Sequence, residues 1–154
     1  MSDGKFYLTK EGLEKFEQEF KHLLALKQEK AHTGAPVAFH SEELDIEFVS
    51  FKEDLELLEG RINELDYIIK NAELIQPPKG QEIGKVNLGA KIEVEVDSKP
   101  DEFMMVGTLE ANPNEGKISN ESPVGKALFG HRVGDIVLVN SPAKVAFKIK
   151  KITY

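Results

Sequence analysis

Four acids stand close together between residues 42 and 47: Glu42, Glu43, Asp45 and Glu47. On a helix, Glu42 and Asp45 share one face and Glu43 and Glu47 another, so these are the two pairs that can act together. No helical arrangement gathers all four. Such a run of carboxylates suits a basic cleft on another protein, or a site containing metal ions. It equally suits the first turn of a helix, where Asp and Glu complement the positive end of the macrodipole. The rest of the chemical inventory is sparse. There is no cysteine, which excludes disulfides and thiolate metal sites. His22, His32, His40 and His131 are scattered without a ligand spacing. No Ser/His/Asp triad, phosphate loop or redox motif is visible, so neither independent enzyme chemistry nor an intrinsic cofactor is expected.

The element that must position these acids is long. Leu44, Phe48, Phe51, Leu55, Leu58, Ile62, Leu65, Ile69 and Ala72 keep an unbroken 4-3 spacing. That is a heptad seam on one helix of about 29 residues, roughly 43 Å at 1.5 Å per residue. It spans about residues 42–73, with Ser41 or His40 as N-cap. Thr9 caps an earlier helix over about residues 9–32, with Glu11 and Glu14 near its positive end. Leu13, Phe16, Phe20 and Leu23 follow at 3-4-3 spacing, with Leu24 beside them. The pattern fails after Leu26, and His32-Thr33-Gly34-Ala35-Pro36 ends the helix. Two helices joined this closely pack antiparallel. Pairing Leu13–Leu24 against Leu58–Ala72 leaves Leu44, Phe48 and Phe51 facing a poorer surface, with Val37, Ala38 and Phe39 as their expected cover. A rod of this length in a 154-residue chain is expected to reach something.

Gln76-Pro77-Pro78-Lys79-Gly80 breaks the helix, and beyond it the hydrophobic period changes from 3.5 to 2. Lys91–Val96 alternates strictly. Phe103–Leu109, Asp135–Val139 and Val145–Ile152 read as further strands. Pro123–Leu128 reads as one short helix, with Ser122 as N-cap, Pro123 at N1 and Gly130 at its C-terminal side. The fold class is therefore α+β, with expected domains at 1–76 (antiparallel coiled-coil hairpin) and 81–154 (a small antiparallel β domain with one short helix), joined by a linker at 77–80. Charge is uneven: residues 1–75 hold nine Lys/Arg and 17 Asp/Glu, while residues 76–154 hold eleven and ten. An acidic rod is a poor binder of duplex nucleic acid. No apolar run approaches 18 residues, and the N-terminus lacks an apolar signal region, so a cytoplasmic protein without membrane contact is expected.

Several blocks resemble the Gre family of bacterial transcription elongation and transcript cleavage factors. Leu8-Thr9-Lys10-Glu11-Gly12-Leu13-Glu14-Lys15 is similar to its opening. Glu59-Gly60-Arg61-Ile62 and Asn71-Ala72-Glu73-Leu74-Ile75 are similar to the second half of its hairpin. Val86-Asn87-Leu88-Gly89-Ala90 is similar to the first strand of its C-terminal domain. Most specific is the stretch from Ile118-Ser119-Asn120-Glu121-Ser122-Pro123-Val124-Gly125-Lys126 to Gly134-Asp135. The resemblance implies an FKBP-like C-terminal domain that docks on the rim of the RNA polymerase secondary channel, through Ser122, Pro123, Val124, Gly125 and Lys126. It also implies a hairpin that enters the channel.

In the family, two tip carboxylates in a motif of the form G-D-L-K-E-N-A-E-Y help hold a second Mg²⁺ at the polymerase active centre. Mg²⁺ takes hard oxygen ligands and commonly only one or two protein carboxylates. Counted back without a gap from Glu59, the two acids of the motif fall on Ser41 and Leu44. With a gap, Glu43-Leu44 meets the motif's D-L and Asp45 lies near the second acid, which makes Glu43 and Asp45 the candidate Mg²⁺ ligands in trans. Two mechanisms follow from the resemblance: a cleavage stimulator with displaced acids, or a non-cleaving regulator or inhibitor occupying the channel. Lys21, Lys27 and Lys30 could track the nascent RNA, whose 3′ end the factor would contact indirectly, or form a solvated face. The protein is expected to act as a monomeric accessory factor. Two other classes stay open. An FKBP-like isomerase or chaperone needs an aromatic-lined apolar pocket, and the second domain offers only Phe103, Phe129, Phe147 and Tyr154. A self-associating coiled coil would use surplus apolar surface at Phe48 and Phe51.

Overall fold

The computed structural model describes residues 4–34, 42–140 and 143–154, without the side chains of residues 42–45. The chain divides into two units: Met1–Gly12 with Glu73–Tyr154, and Leu13–Ala72. This division differs from the expected cut at 76–81, because the first twelve residues join the unit that contains the sheet. A strand absent from the sequence reading is the cause. β1 (Phe6–Leu8) pairs with β2 (Ala72–Leu74). The amide of Ile75 donates to the Leu8 carbonyl at 2.9 Å, and Lys5 pairs with Glu73 at 2.7 Å. Leu8 itself is fully buried.

The Leu13–Ala72 unit holds the two helices. α1 spans Lys10–Thr33 and α2 spans Glu42–Lys70. α2 stops short of the expected end at 73: the amide and side chain of Asn71 both donate to the Tyr67 carbonyl, and Ala72 has already entered β2. The seam is buried unevenly. Ile62, Leu65 and the neighbouring Ile68 are 7%, 0% and 4% exposed, whereas Phe48, Phe51, Leu55 and Leu58 are only half-buried. The difference follows from what α1 offers. Its apolar residues Leu13, Phe16, Phe20 and Leu23 are half-buried along one face, and beyond Leu26 that face continues as Lys27 and Lys30. The Lys30 ammonium lies 5.9 Å from the centre of the Phe51 ring, and Lys52 lies 5.7 Å from that of Phe48. Such contacts shield an aromatic face less completely than leucine does. The expected cover from Val37, Ala38 and Phe39 lies outside the described residues, as does the side chain of Leu44.

In the larger unit five strands pair in the order β5-β4-β3-β7-β6. They are β3 (Lys91–Val96), β4 (Lys99–Val106), β5 (Lys117–Ser119), β6 (Ile136–Asn140) and β7 (Lys144–Thr153). The β3–β4, β3–β7 and β6–β7 pairs are antiparallel. β5 runs parallel to β4, which the expectation of a purely antiparallel sheet did not include. A parallel pair needs a crossover, and residues 107–116 supply one through single turns at Thr108–Glu110 and Pro113–Glu115. β4 also begins at Lys99 rather than Phe103. Asp97 and Ser98 both take positive φ (51° and 63°), which makes the type I′ turn that suits the strand twist without the usual glycine.

Alternation sorts the strands as read: Ile92 and Val94 are buried while Lys91 and Glu93 are exposed. The core gathers Val86, Ile92, Val94, Met105, Ile118, Leu128, Val137, Phe147 and Ile149, closed on one side by α3 (Pro123–Leu128). No helix among the described residues is long and apolar enough to cross a membrane.

Candidate functional site

Glu42 opens α2, so the acids fall on its first turn and a half. Glu47 is exposed, while the side chains of Glu42, Glu43 and Asp45 lie outside the described ones. Among the described residues no three His, Asp or Glu side chains converge on a metal site.

Arg61, which carries no local sequence signal for its role, ties the stem behind these acids together. Arg61 donates through Nε and one terminal nitrogen to both carboxylate oxygens of Glu19 on α1, at 2.8 and 3.0 Å. Its other nitrogen donates to Glu64 at 2.9 Å. This planar fork fixes both the distance and the register of α2 on α1, which a lysine could not do. The hydrogen bonds from Arg61 hold the Glu19 carboxyl below its usual range and push the guanidinium still higher. Further along, Lys27 pairs with Glu59 at 3.4 Å and Lys30 with Asp54 at 4.0 Å. Two of the three lysines considered as RNA contacts are thus engaged across the hairpin. Lys21 is exposed.

At the other end of α1, Thr9 is the N-cap, its Oγ1 accepting from the Gly12 amide at 3.1 Å. In the usual capping box an acid three residues on takes the cap's own amide. Here that position is Gly12, and Glu110 supplies the carboxylate from 101 residues away: Thr9 N donates to its Oε2 at 2.7 Å and Thr9 Oγ1 to its Oε1 at 2.5 Å. Gly12 is required for this arrangement, because a Cβ there would lie 2.1 Å from Glu110 Oε1. All three residues belong to the larger unit.

The Ser122–Lys126 segment is first a well-made helix start. Ser122 Oγ accepts from the Gly125 amide at 3.0 Å and donates to the Ser119 carbonyl at 2.7 Å. Ser119, buried, accepts from the Glu121 amide at 3.0 Å, and Thr108 Oγ1 donates to Glu121 at 2.8 Å. Gly125 is buried against this turn, where a Cβ would stand 1.9 Å from the Ser119 carbonyl oxygen. Val124 packs on the core. Of the five residues considered for docking, Pro123 and Lys126 are the exposed ones. In the loop that follows, the Arg132 amide and His131 both bond Asp135, at 2.9 and 3.2 Å, and hold its carboxyl below the usual range.

Phe103 and Phe147 meet each other at 6.2 Å with a 59° tilt, Phe147 within the core and Phe103 packed against it, rather than lining an open pocket. Tyr154 donates to the Lys85 carbonyl and accepts from the Asn87 amide at 2.9 Å, and its partial burial raises the phenol's pKa. Phe103, Phe147 and Tyr154 are thus committed to the structure of this unit, while Phe129 is exposed.

Residues 80–154 match the family model described as transcription elongation factor, GreA/GreB, C-terminal. The transcription elongation factor GreA of Thermomicrobium roseum is 36% identical over 146 residues, covering 92% of both chains. That of Acetivibrio thermocellus is 39% identical over 151 residues, covering 94% of both. Among solved structures, the GreA factor homolog 1 (Gfh1) protein of Thermus thermophilus is 28% identical, with a TM-score of 0.41, covering 97% of this chain and 99% of its own. The matched spans take in nearly the whole chain, and the chain belongs to the GreA/GreB family of transcription elongation factors.

Proposed function

We propose that this chain binds bacterial RNA polymerase, docking its C-terminal unit on the rim of the secondary channel and sending its helical hairpin into it. The acids opening α2 then act at the polymerase active centre. Similarity to GreA over more than nine-tenths of the chain carries this reading. Pro123 and Lys126 offer the exposed side chains of the docking segment. The factor itself is not an enzyme: it works as a monomer in the cytoplasm, reaches the RNA 3′ end only through the polymerase, and lends ligands to a catalytic centre it does not contain. Carboxylate oxygens at residues 43 and 45 are the donor type that Mg²⁺ takes in ones and twos while keeping its waters. Mg²⁺ at the polymerase centre supplies the activation of water for transcript hydrolysis. Glu43 and Asp45 would hold it from the hairpin side.

The sequence departure at the tip favours a second reading, a channel regulator that does not stimulate cleavage. In the ungapped count the acids of the family motif meet Ser41 and Leu44. Transcript cleavage by stalled, backtracked complexes of the cognate polymerase, at varied Mg²⁺, separates the two. Faster cleavage, lost in Glu43→Ala or Asp45→Ala, is the outcome for a cleavage factor. No stimulation, with competition against an authentic cleavage factor, is the outcome for a regulator. If the protein neither stimulates cleavage nor competes, the polymerase assignment fails.

A further inference from the structure

α2 carries a second stripe that its own fold leaves bare. Residues 46, 49, 53, 57, 60 and 64 recur at three- and four-residue steps on the face opposite the seam. Three of them are large apolar side chains in the open: Ile46 at 68%, Val49 at 52% and Leu57 at 74% exposure. Leu57 is the most exposed large hydrophobic among the described residues.

Gly60 stands near the C-terminal end of this stripe, in the interior of a long helix, where glycine is the poorest choice after proline. A Cβ built there meets nothing within 4 Å. No neighbour in the chain therefore requires the glycine. It lines a shallow, open groove of about 620 Å³ together with Glu53, Glu56, Leu57, Arg61 and Glu64. Exposed leucine and an unforced helical glycine both disfavour the isolated protein. Together they make a notch beside an apolar knob, the form of a surface that another body approaches closely.

Charge selects the occupant. Three acids rim the groove, and its one cation, Arg61, is engaged with Glu19 and Glu64. A second copy presenting the same face would set Glu53, Glu56 and Glu64 against their equivalents, and a nucleic-acid backbone would meet the same repulsion. A protein wall that inserts an apolar side chain at Gly60 and rings it with Lys or Arg satisfies both the notch and the acids. We propose that this outer face of α2, from Ile46 to Glu64, is a docking face for a basic-rimmed apolar protein surface. Resting on the function proposed above, that surface is the lining of the polymerase secondary channel.

The test separates folding from docking. Gly60→Leu fills the notch and replaces glycine with a good helix former, so the thermal midpoint should rise by about 2–4 °C while affinity for the cognate polymerase falls about tenfold. Leu57→Ser removes the knob, leaves the midpoint nearly unchanged and weakens binding about fivefold. Titration of fluorescently labelled protein with core polymerase reads affinity, and sedimentation reads the oligomeric state. If the wild type binds and both variants bind equally well, the docking face is wrong and the proposed function stands. If the wild type does not bind polymerase, the proposed function fails and takes this inference with it. If the wild type self-associates and Leu57→Ser abolishes it, the face is a contact between copies and the proposal is overturned.

Discussion

The capping box completed by Glu110 makes a prediction whose sign can be reversed by a second substitution. Glu110→Ala removes two charge-assisted hydrogen bonds to Thr9 and the negative charge at the N-terminus of α1. Loss of a cap costs about 0.5–2 kcal/mol, and a hydrogen bond to a charged group contributes about 1.5–3 kcal/mol. Glu110 is only half-buried, so water recovers part of this, and about 2 kcal/mol is the expected loss in urea unfolding. The exchange of the Thr9 amide should quicken about 30-fold. Glu110→Gln keeps one acceptor without the charge and should cost about half as much. Gly12→Ala forces a Cβ to within 2.1 Å of the Glu110 carboxylate, so with Glu110 present it should destabilise by about 1 kcal/mol net. In the Glu110→Ala background that obstruction is gone. The helix preference for alanine then prevails, and Gly12→Ala should stabilise by about 1 kcal/mol. If Gly12→Ala costs the same in both backgrounds, the glycine is not there for Glu110 and the reasoning fails.

Three other substitutions follow from the same geometry. Arg61→Ala should cost about 1 kcal/mol, a bidentate but partly exposed pair being worth little more. Because Glu19 has a lowered pKa in the folded chain, its contribution is full at neutral pH, starts to fade as pH drops toward the ordinary glutamate value of 4.5, and is gone below its own depressed pKa. Unfolding measured against pH should show that acid-side loss in the wild type and much less of it in Arg61→Ala. Ser98→Gly relieves a positive φ of 63° in a type I′ turn and should raise stability by about 1 kcal/mol, read as a higher urea midpoint. Gly125→Ala sets a Cβ 1.9 Å from a backbone oxygen that cannot swing aside, and a loss of about 3 kcal/mol or more in the same titration is expected.

Periodicity made most of the framework readable. The 4-3 spacing from Phe48 to Leu65 and the alternation of Lys91–Val96 are local signals, and both survive packing because each face has one partner to meet. The features without a local signal are set by distant partners. Phe6–Leu8 is three residues long and is a strand only because β2 lies beside it. The start of β4 was hidden by Pro100, Asp101 and Glu102, and by a turn that uses Asp97-Ser98 where a glycine would have announced it. The reason for Gly12 lies at residue 110, and no window along the chain contains both. The reading of Thr9 as a cap needed only its neighbours, and there the structure and the sequence agree. The acids at 42–47 are readable only as a run of residue types: which of them would align with the family motif depends on where a gap falls in the hairpin, and residue types alone do not fix that.

The hairpin is anchored most firmly at the end away from its acids. Ile62, Leu65 and Ile68 are buried, and full burial of such a side chain stabilises by about 1.5–3 kcal/mol. Toward residues 48–55 the seam is half-buried, and among the described residues Lys27–Glu59, Lys30–Asp54 and the Lys30–Phe51 approach link the helices there. Exposed pairs of this kind contribute about 0–1 kcal/mol each and are screened by salt, the Debye length falling from about 8 Å at physiological ionic strength to about 3 Å at 1 M. Salt should therefore loosen the hairpin from one end. Amide exchange at residues 48–55 and 27–33 should accelerate several-fold between 0.1 and about 1 M salt, while residues 62–68 hold their protection, since apolar burial is not weakened by screening. Uniform acceleration along α2 would mean that the lysine pairs do not hold the distal half. If instead the gradient appears, the acids of α2 ride on the segment that opens most readily. Their placement against a partner would then depend on contacts made with that partner as well as on the hairpin's own core.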